Sequence, residues 1–184
     1  MNQPSLTEII TSIKKGRAIG NVGRIVAIDG PAGAGKTTLA NRLKDNIQES
    51  SVEIVHMDDL YDGWDNALST QLTETLLHIA HSHKNVRKIS LSTYDWNSGS
   101  FLPATELAQS ELIIFEGVGS GQLAIRGYLS ALIWIDIDES EGLARVLARD
   151  GKEIENHMKE WLATQEQHFR KEGTQNAADF VLTT

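Results

Sequence analysis

The sequence contains no cysteine. A disulfide framework, a thiol nucleophile and a thiolate metal site are therefore all excluded. It has no run of about 18 apolar residues, the length that marks a bilayer-crossing helix. Its first residues lack the pattern of a secretion signal. The expected location is cytoplasmic, with no membrane partner. Basic residues are scarce: 17 Lys and Arg stand against 25 Asp and Glu, a net charge of −8. So acidic a chain does not suit a nucleic-acid coat, and any anionic ligand must be held by local positive groups. Internal repeats, low-complexity tracts and interdomain linkers are absent too. What remains is ordinary in composition: 184 residues, 40% hydrophobic and 23% charged. That is enough for one substantial core, and residues 1–184 are expected to form a single domain.

One stretch stands out: Gly30-Pro31-Ala32-Gly33-Ala34-Gly35-Lys36-Thr37. It reads G-x-x-x-x-G-K-[ST], the phosphate-binding loop. A β-branched apolar run, 24–29, precedes it. A segment with Leu39, Leu43 and Ile47 spaced four apart follows, beginning at Thr38. Strand, glycine loop and helix are the context the motif requires. Gly30, Gly33 and Gly35 permit backbone angles closed to other residues. The loop can then turn its N–H groups, those of Ala32 and Ala34 included, into a concave nest for phosphate oxygens. The helix that begins there, through Thr38, adds unpaired N–H groups and its positive dipole end. Lys36 is expected to reach the β- and γ-phosphates, and Thr37 to offer a hydroxyl to Mg²⁺.

The rest of the chain alternates. Ser5 and Glu8 form a capping box for a first helix ending at Gly16, within an N-terminal extension of residues 1–20. A polar connection from Gly20 to Gly23 follows. Strands are expected at 52–57, 112–116, 132–136 and 179–182, with Ser50-Ser51 as a turn before the first of these. Helices are expected at about 66–81, 140–149 and 153–171, and a short strand or hairpin at 88–94. Buried apolar strands between amphipathic helices point to an α/β fold of three layers, with a mostly parallel central sheet flanked by helices. Ligands bind such sheets beyond the carboxyl ends of the strands. That places Asp29, Asp58, Asp59, Glu116, Gly117, Asp136 and Asp138 on or near one rim with the glycine loop.

Phosphoryl transfer needs a phosphate cradle, a metal, an oriented nucleophile and positive charge for the transition state. Thr37, Asp58 and Glu116 are the candidate Mg²⁺ ligands, since Mg²⁺ prefers oxygen donors. Asp58 or Asp59 is placed to take a proton from a substrate hydroxyl. Arg145 and Arg149, one helical turn apart, share a face and can steady the moving phosphoryl, with Arg126 as a third candidate. His78, His81 and His83 end a helix, where surface roles are expected. His157 and His168 lie on the late helix, packed or solvated. Tyr61, Trp64, Tyr94 and Trp96 fall outside any regular apolar stripe. Such rings either stack on a planar substrate or form a small cluster under a loop.

Taken together, these segments resemble the uridine–cytidine kinase branch of the P-loop kinases, which is similar to phosphoribulokinase and pantothenate kinase. The likeness runs from Arg24 onward and rests on His56-Met57-Asp58-Asp59-Leu60-Tyr61, Trp64-Asp65-Asn66, Tyr94-Asp95-Trp96 and Phe115-Glu116-Gly117. It implies that Asp58 is the general base and a magnesium-associated acid, that Tyr61 and Tyr94 line a nucleoside pocket, that Asp65 holds ribose hydroxyls and that Glu116 lies near magnesium. It also makes Arg145 and Arg149 lid arginines. Two departures stand in the sequence. The stretch 97–101 lacks the histidine and arginine usual in the family, and the lid, about 145–155, is short. The resemblance implies an ATP-dependent kinase of a small hydroxyl-bearing substrate, with ATP and Mg²⁺ as cofactors. A uridine-like acceptor, a sugar, polyol or vitamin, and a nucleotide-binding regulator without kinase activity all stay open. No oligomeric state is specified.

Overall fold

A computed structural model describes residues 3–16, 23–47 and 51–184. The Gly20 end of the expected connection and the Ser50 half of the expected turn lie outside the described residues. The elements follow one another as α1 (Leu6–Lys15), β1 (Arg24–Asp29), α2 (Lys36–Asn46), β2 (Val52–His56), α3 (Thr70–Lys84), β3 (Ile89–Leu91), β4 (Tyr94–Asp95), β5 (Ser100–Phe101), β6 (Thr105–Leu107), β7 (Leu112–Glu116), β8 (Ala131–Asp136), α4 (Glu139–Asp150), α5 (Glu155–Glu172), α6 (Thr174–Ala177) and β9 (Phe180–Thr183).

Five strands form one parallel sheet in the order β2-β7-β1-β8-β9. Its central strands are buried on both faces, which is why they read as unbroken apolar runs. Alternate residues feed two cores, as the two-residue period of a strand demands. Val26 and Ile28 pack with Ile9, Ile13, Leu39 and Leu43 of α1 and α2. Ile25 and Ala27 pack on the other side with Leu72, Leu76, Trp161 and Phe169 of α3 and α5. The result is the three-layer α/β arrangement. Among the described residues no helix is long and apolar enough to cross a membrane.

The capping box on α1 is present, with the Ser5 hydroxyl accepting from the Glu8 N–H and the Glu8 carboxylate accepting in return. Helix α3 starts at Thr70, four residues later than the periodicity predicts, because 63–68 are turns. Ring contacts hold those turns: Trp64 packs on Trp96, His157 and Trp161, all outside α3. The stretch 88–94 supplies two short strands to separate antiparallel ribbons, β3–β6 and β4–β5.

His83, expected at the surface, is 8% exposed, and its ring fills the space a side chain at Gly23 would need. Burial pushes the His83 and His168 imidazoles below their usual value. Both Nε2 atoms are buried without a hydrogen-bond partner among the described residues. A depressed base is neutral in the native state, so stability is intact above the unfolded value of about 6.5. It is lost as pH falls from there through the depressed native values. Between pH 7 and pH 5 the melting temperature of His83→Leu should therefore rise relative to that of the wild type. Equal slopes for the two proteins in thermal denaturation would exclude His83 as a source.

Candidate active site

The register of the parallel sheet sets the site. Ile28 on β1 stands level with Glu116 on β7, and Glu116 stands level with His56 on β2. The strands end together, and the glycine loop, 30–37, rises from the end of β1 beside them. Gly33 has φ +77°, and a Cβ there would lie 2.3 Å from the Gly142 carbonyl oxygen of α4. A Cβ on Gly142 would lie 2.6 Å from the Ala32 carbonyl oxygen. Two glycines thus let the first turns of α4 press directly on the loop.

Lys36 is buried, and its Nζ donates to the carbonyl oxygens of Gly30 at 2.8 Å and Pro31 at 2.7 Å. Burial pulls its ammonium below the usual lysine range, against the pull of Asp29, Asp58 and Glu116. Loop amides beyond Gly30 already have protein partners. Ala32 donates to Gln165 Oε1 at 3.1 Å and Ala34 to the Pro31 carbonyl at 3.3 Å. Thr37 Oγ1 donates to Glu116 Oε1 at 3.1 Å, and the same carboxylate is engaged by His56 Nδ1. That hydrogen bond with Glu116 lifts the His56 imidazole above its usual value.

Asp58 faces the open cleft while protein crowds it from every other side. The crowding raises its carboxyl above the usual carboxylate range, opposed by Lys36 and Arg149 and reinforced by Glu116. Asp29 takes a different part from the open rim acid the sequence implies. It is fully buried and accepts from the N–H groups of Gly30, Gly119 and Gly121. Desolvation still pushes it up to about 6. It ties the glycine loop to the loop after β7. Asp138 is the N-cap of α4, accepting from Ser140 and Glu141, and Asp136 faces a separate cavity behind the loop.

One cavity of about 720 Å³ joins these groups. Ala32, Gly33, Gly35, Lys36, Thr37 and Thr38 line it together with Asp58, Glu116, Arg145 and Arg149. Arg149 makes a two-pronged pair with Asp150 at 2.6 Å, which raises the guanidinium further. Arg145 pairs with Glu141 and reaches the Gly33 carbonyl at 3.4 Å. Arg126 lies elsewhere, holding the Gly121 and Glu172 carbonyls. Tyr61 and Trp96 line the cavity. The Tyr61 hydroxyl donates to the Val118 carbonyl at 2.7 Å, and Trp96 Nε1 donates to the Asp58 carbonyl at 3.0 Å. Asp65 is exposed to solvent, away from the cavity lining, and Tyr94 packs behind Trp96 against Phe101. Sequence reasoning missed His56, Gly142, Trp161 and Gln165. Only His56 carried a signal, as the last strand residue before an acidic pair.

Among the described residues no group of three or more His, Cys, Asp or Glu is arranged to hold an ion alone. Thr37, Asp58 and Glu116 offer only oxygen donors. That set suits an ion which completes its shell with water and phosphate, as Mg²⁺ does.

Fold and loop together define a phosphate-loop nucleotide-binding protein with an acid facing the cradle. The family described as AAA domain matches residues 26–164, and the chain belongs to it. The sequence is 27% identical to the uridine kinase of Staphylococcus aureus (strain JH9) over 143 residues, 70% of this chain and 69% of that protein. The fold is similar to that of a protein described as a possible uridine kinase from Bacillus stearothermophilus, at a TM-score of 0.69, 20% identity and 96% coverage of each chain. It is also similar to the fold of D-glycerate 3-kinase from Cryptococcus neoformans var. grubii, at a TM-score of 0.60 and 14% identity, covering 99% of this chain and 96% of that one.

The tight seat of α4 on the loop has a measurable consequence. Gly142→Ala must push the loop or the helix aside, and overpacking of this kind typically costs about 1–3 kcal/mol. Binding of a non-hydrolysable ATP analogue, measured by calorimetry, should weaken about tenfold, with the circular dichroism spectrum unchanged. Wild-type affinity in that variant would mean the contact does not shape the cradle.

Proposed function

We propose that the protein transfers the γ-phosphate of Mg·ATP to a hydroxyl of a small molecule. The observation that carries this reading is the shared cavity: Asp58 opens into the same space as Lys36, Thr37 and the glycine loop. Lys36 exchanges its two carbonyl partners for the β- and γ-phosphates. The acceptor hydroxyl gives its proton to the Asp58 carboxylate as its oxygen bonds to the γ-phosphorus. The bond from that phosphorus to the β–γ bridging oxygen breaks, and ADP leaves. Arg149, which acts electrostatically on Asp58 and Glu116, balances charge on the phosphoryl in flight. Arg145, at the Gly33 carbonyl, serves the nucleotide side. Thr37, Glu116 and Asp58 would hold Mg²⁺, which when bound offsets phosphate charge. His56 orients Glu116 from the outer side.

The relatives named uridine kinase make a nucleoside hydroxyl the reference acceptor. A second reading, an acceptor other than a nucleoside, is favoured by the exposure of Asp65 and the withdrawal of Tyr94 behind Trp96.

Lys36→Ala should abolish ATP turnover. Asp58→Asn should keep affinity for a non-hydrolysable ATP analogue and lose transfer by roughly 10²–10⁴-fold, the usual contribution of a positioned base. Calorimetry and an ADP-release assay read the two effects separately. Undiminished transfer by the Asp58 variant would remove it as the base.

A further inference from the structure

The cavity has a lining of two opposite characters. Its charged lining includes Lys36, Asp58, Glu116 and Arg149. Its apolar lining includes Trp64, Trp96, Trp161, Met158, Ile154 and Ala67. The rings hold one another in place. Trp64 meets Trp96 edge-on at 5.3 Å and Trp161 edge-on at 6.1 Å, and it lies flat against His157 at 5.6 Å, with 7° between planes. Tyr61 adds a tilted contact to Trp161 at 5.4 Å. Rings fixed this way offer flat faces and edges at little further entropic cost. Their polar handles are partly spent already: the Tyr61 hydroxyl on the Val118 carbonyl and the Trp96 indole N–H on the Asp58 carbonyl. The acid implied to grip a sugar, Asp65, points into solvent.

A sugar or polyol set against this apolar lining would strip water from several hydroxyls and find few partners for them, which is unfavourable. A flat apolar body loses nothing there and gains stacking. Resting on the kinase reading above, we infer that the acceptor is a primary alcohol carried on a flat, largely apolar ring, and not a sugar, a polyol or a ribonucleoside. The ring occupies the tryptophan wall and directs one hydroxymethyl group toward Asp58. Transfer follows the step already written, giving the aryl-methyl phosphate and ADP.

Two measurements on the full chain test this. Quenching of tryptophan fluorescence, with a non-hydrolysable ATP analogue present, reads acceptor binding without transfer. ADP release with mass detection of the product reads transfer. The probes are 3-pyridinemethanol and 2-naphthalenemethanol against uridine, D-ribose, glycerol and D-glycerate. The aromatic alcohols should quench and be phosphorylated with kcat/KM at least about tenfold above the other four, a factor in line with one good aromatic contact. Preference for uridine, ribose, glycerol or glycerate would overturn the ligand class and leave the kinase reading standing. Aromatic alcohols that quench while no alcohol is phosphorylated would support the class and overturn the kinase reading. Failure of every probe to bind would overturn the class. Trp64→Ala should raise KM for the aromatic alcohol about tenfold and leave kcat within about twofold. Trp96→Leu, at a position 42% exposed and so safe for folding, should raise that KM as well, with a fall in kcat besides, because its indole N–H holds the Asp58 carbonyl. Unchanged KM in both variants would count against the wall as the binding surface.

Discussion

A buried ammonium with no carboxylate on it is the constraint around which this molecule is built. Lys36 sits beneath the glycine loop on two carbonyl oxygens, while the compensating charge comes from Asp29, Asp58 and Glu116 at longer range. Taking a charge out of water is costly unless acceptors and opposite charge are both supplied. Here the two supplies are separate. The carbonyls satisfy the N–H bonds and can be traded for phosphate oxygens. The acids maintain the positive charge and stay where they are. Asp29 in turn is kept by three amide donors, so the loop that carries the lysine is pinned by the same acid that helps keep it ionised.

This arrangement also sets what a triphosphate must bring. The acids that favour Lys36 oppose an anion entering beside them. Positive charge must arrive or be redirected, and Arg149 is the nearby source, held at the cleft by Asp150. Its pairing with a neighbour on the same helix end holds the guanidinium by two hydrogen bonds. The connection into α5 is short, a single turn at 152–154. Arg145 and Arg149 are the two arginines that line the cleft.

Much of this was legible in the sequence for definite reasons. The strands β1, β7 and β8 are buried on both faces, so their apolar runs are continuous. The glycine loop is legible because the close seat of α4 and the helix start tolerate so few residue types. Register was not legible. Nothing in the sequence says that His56 stands level with Glu116, since that follows from β2 and β7 being neighbours. Helix α3 was placed too early because Leu68 fits the period of Leu72 and Leu76, while the ring of Trp64 holds that segment in turns. Ribbons of two and three residues are shorter than any window in which a period can be read. Resemblance carried residue identity to Asp65 but not the direction of its turn, and the side chain faces water.

The least legible feature is a stripe along α5. His157, Trp161 and Gln165 lie four apart, so they share one face of the helix. His157 supports Trp64, Trp161 forms the wall itself, and Gln165 holds the Ala32 amide of the phosphate loop. One turn further, Phe169 packs edge-on against Trp134 of β8 at 4.7 Å. From sequence the stripe reads as an ordinary packing face. In the fold it runs from the tryptophan cluster, past the phosphate loop, to the sheet. On the kinase reading proposed above, the separation between an acceptor oxygen and the outer phosphorus is then set by helix geometry. Since a misplacement of about 1 Å can cost on the order of 10²-fold in rate, a helix that touches both partners is the economical way to hold that distance. A loop would have to be ordered anew at each turnover.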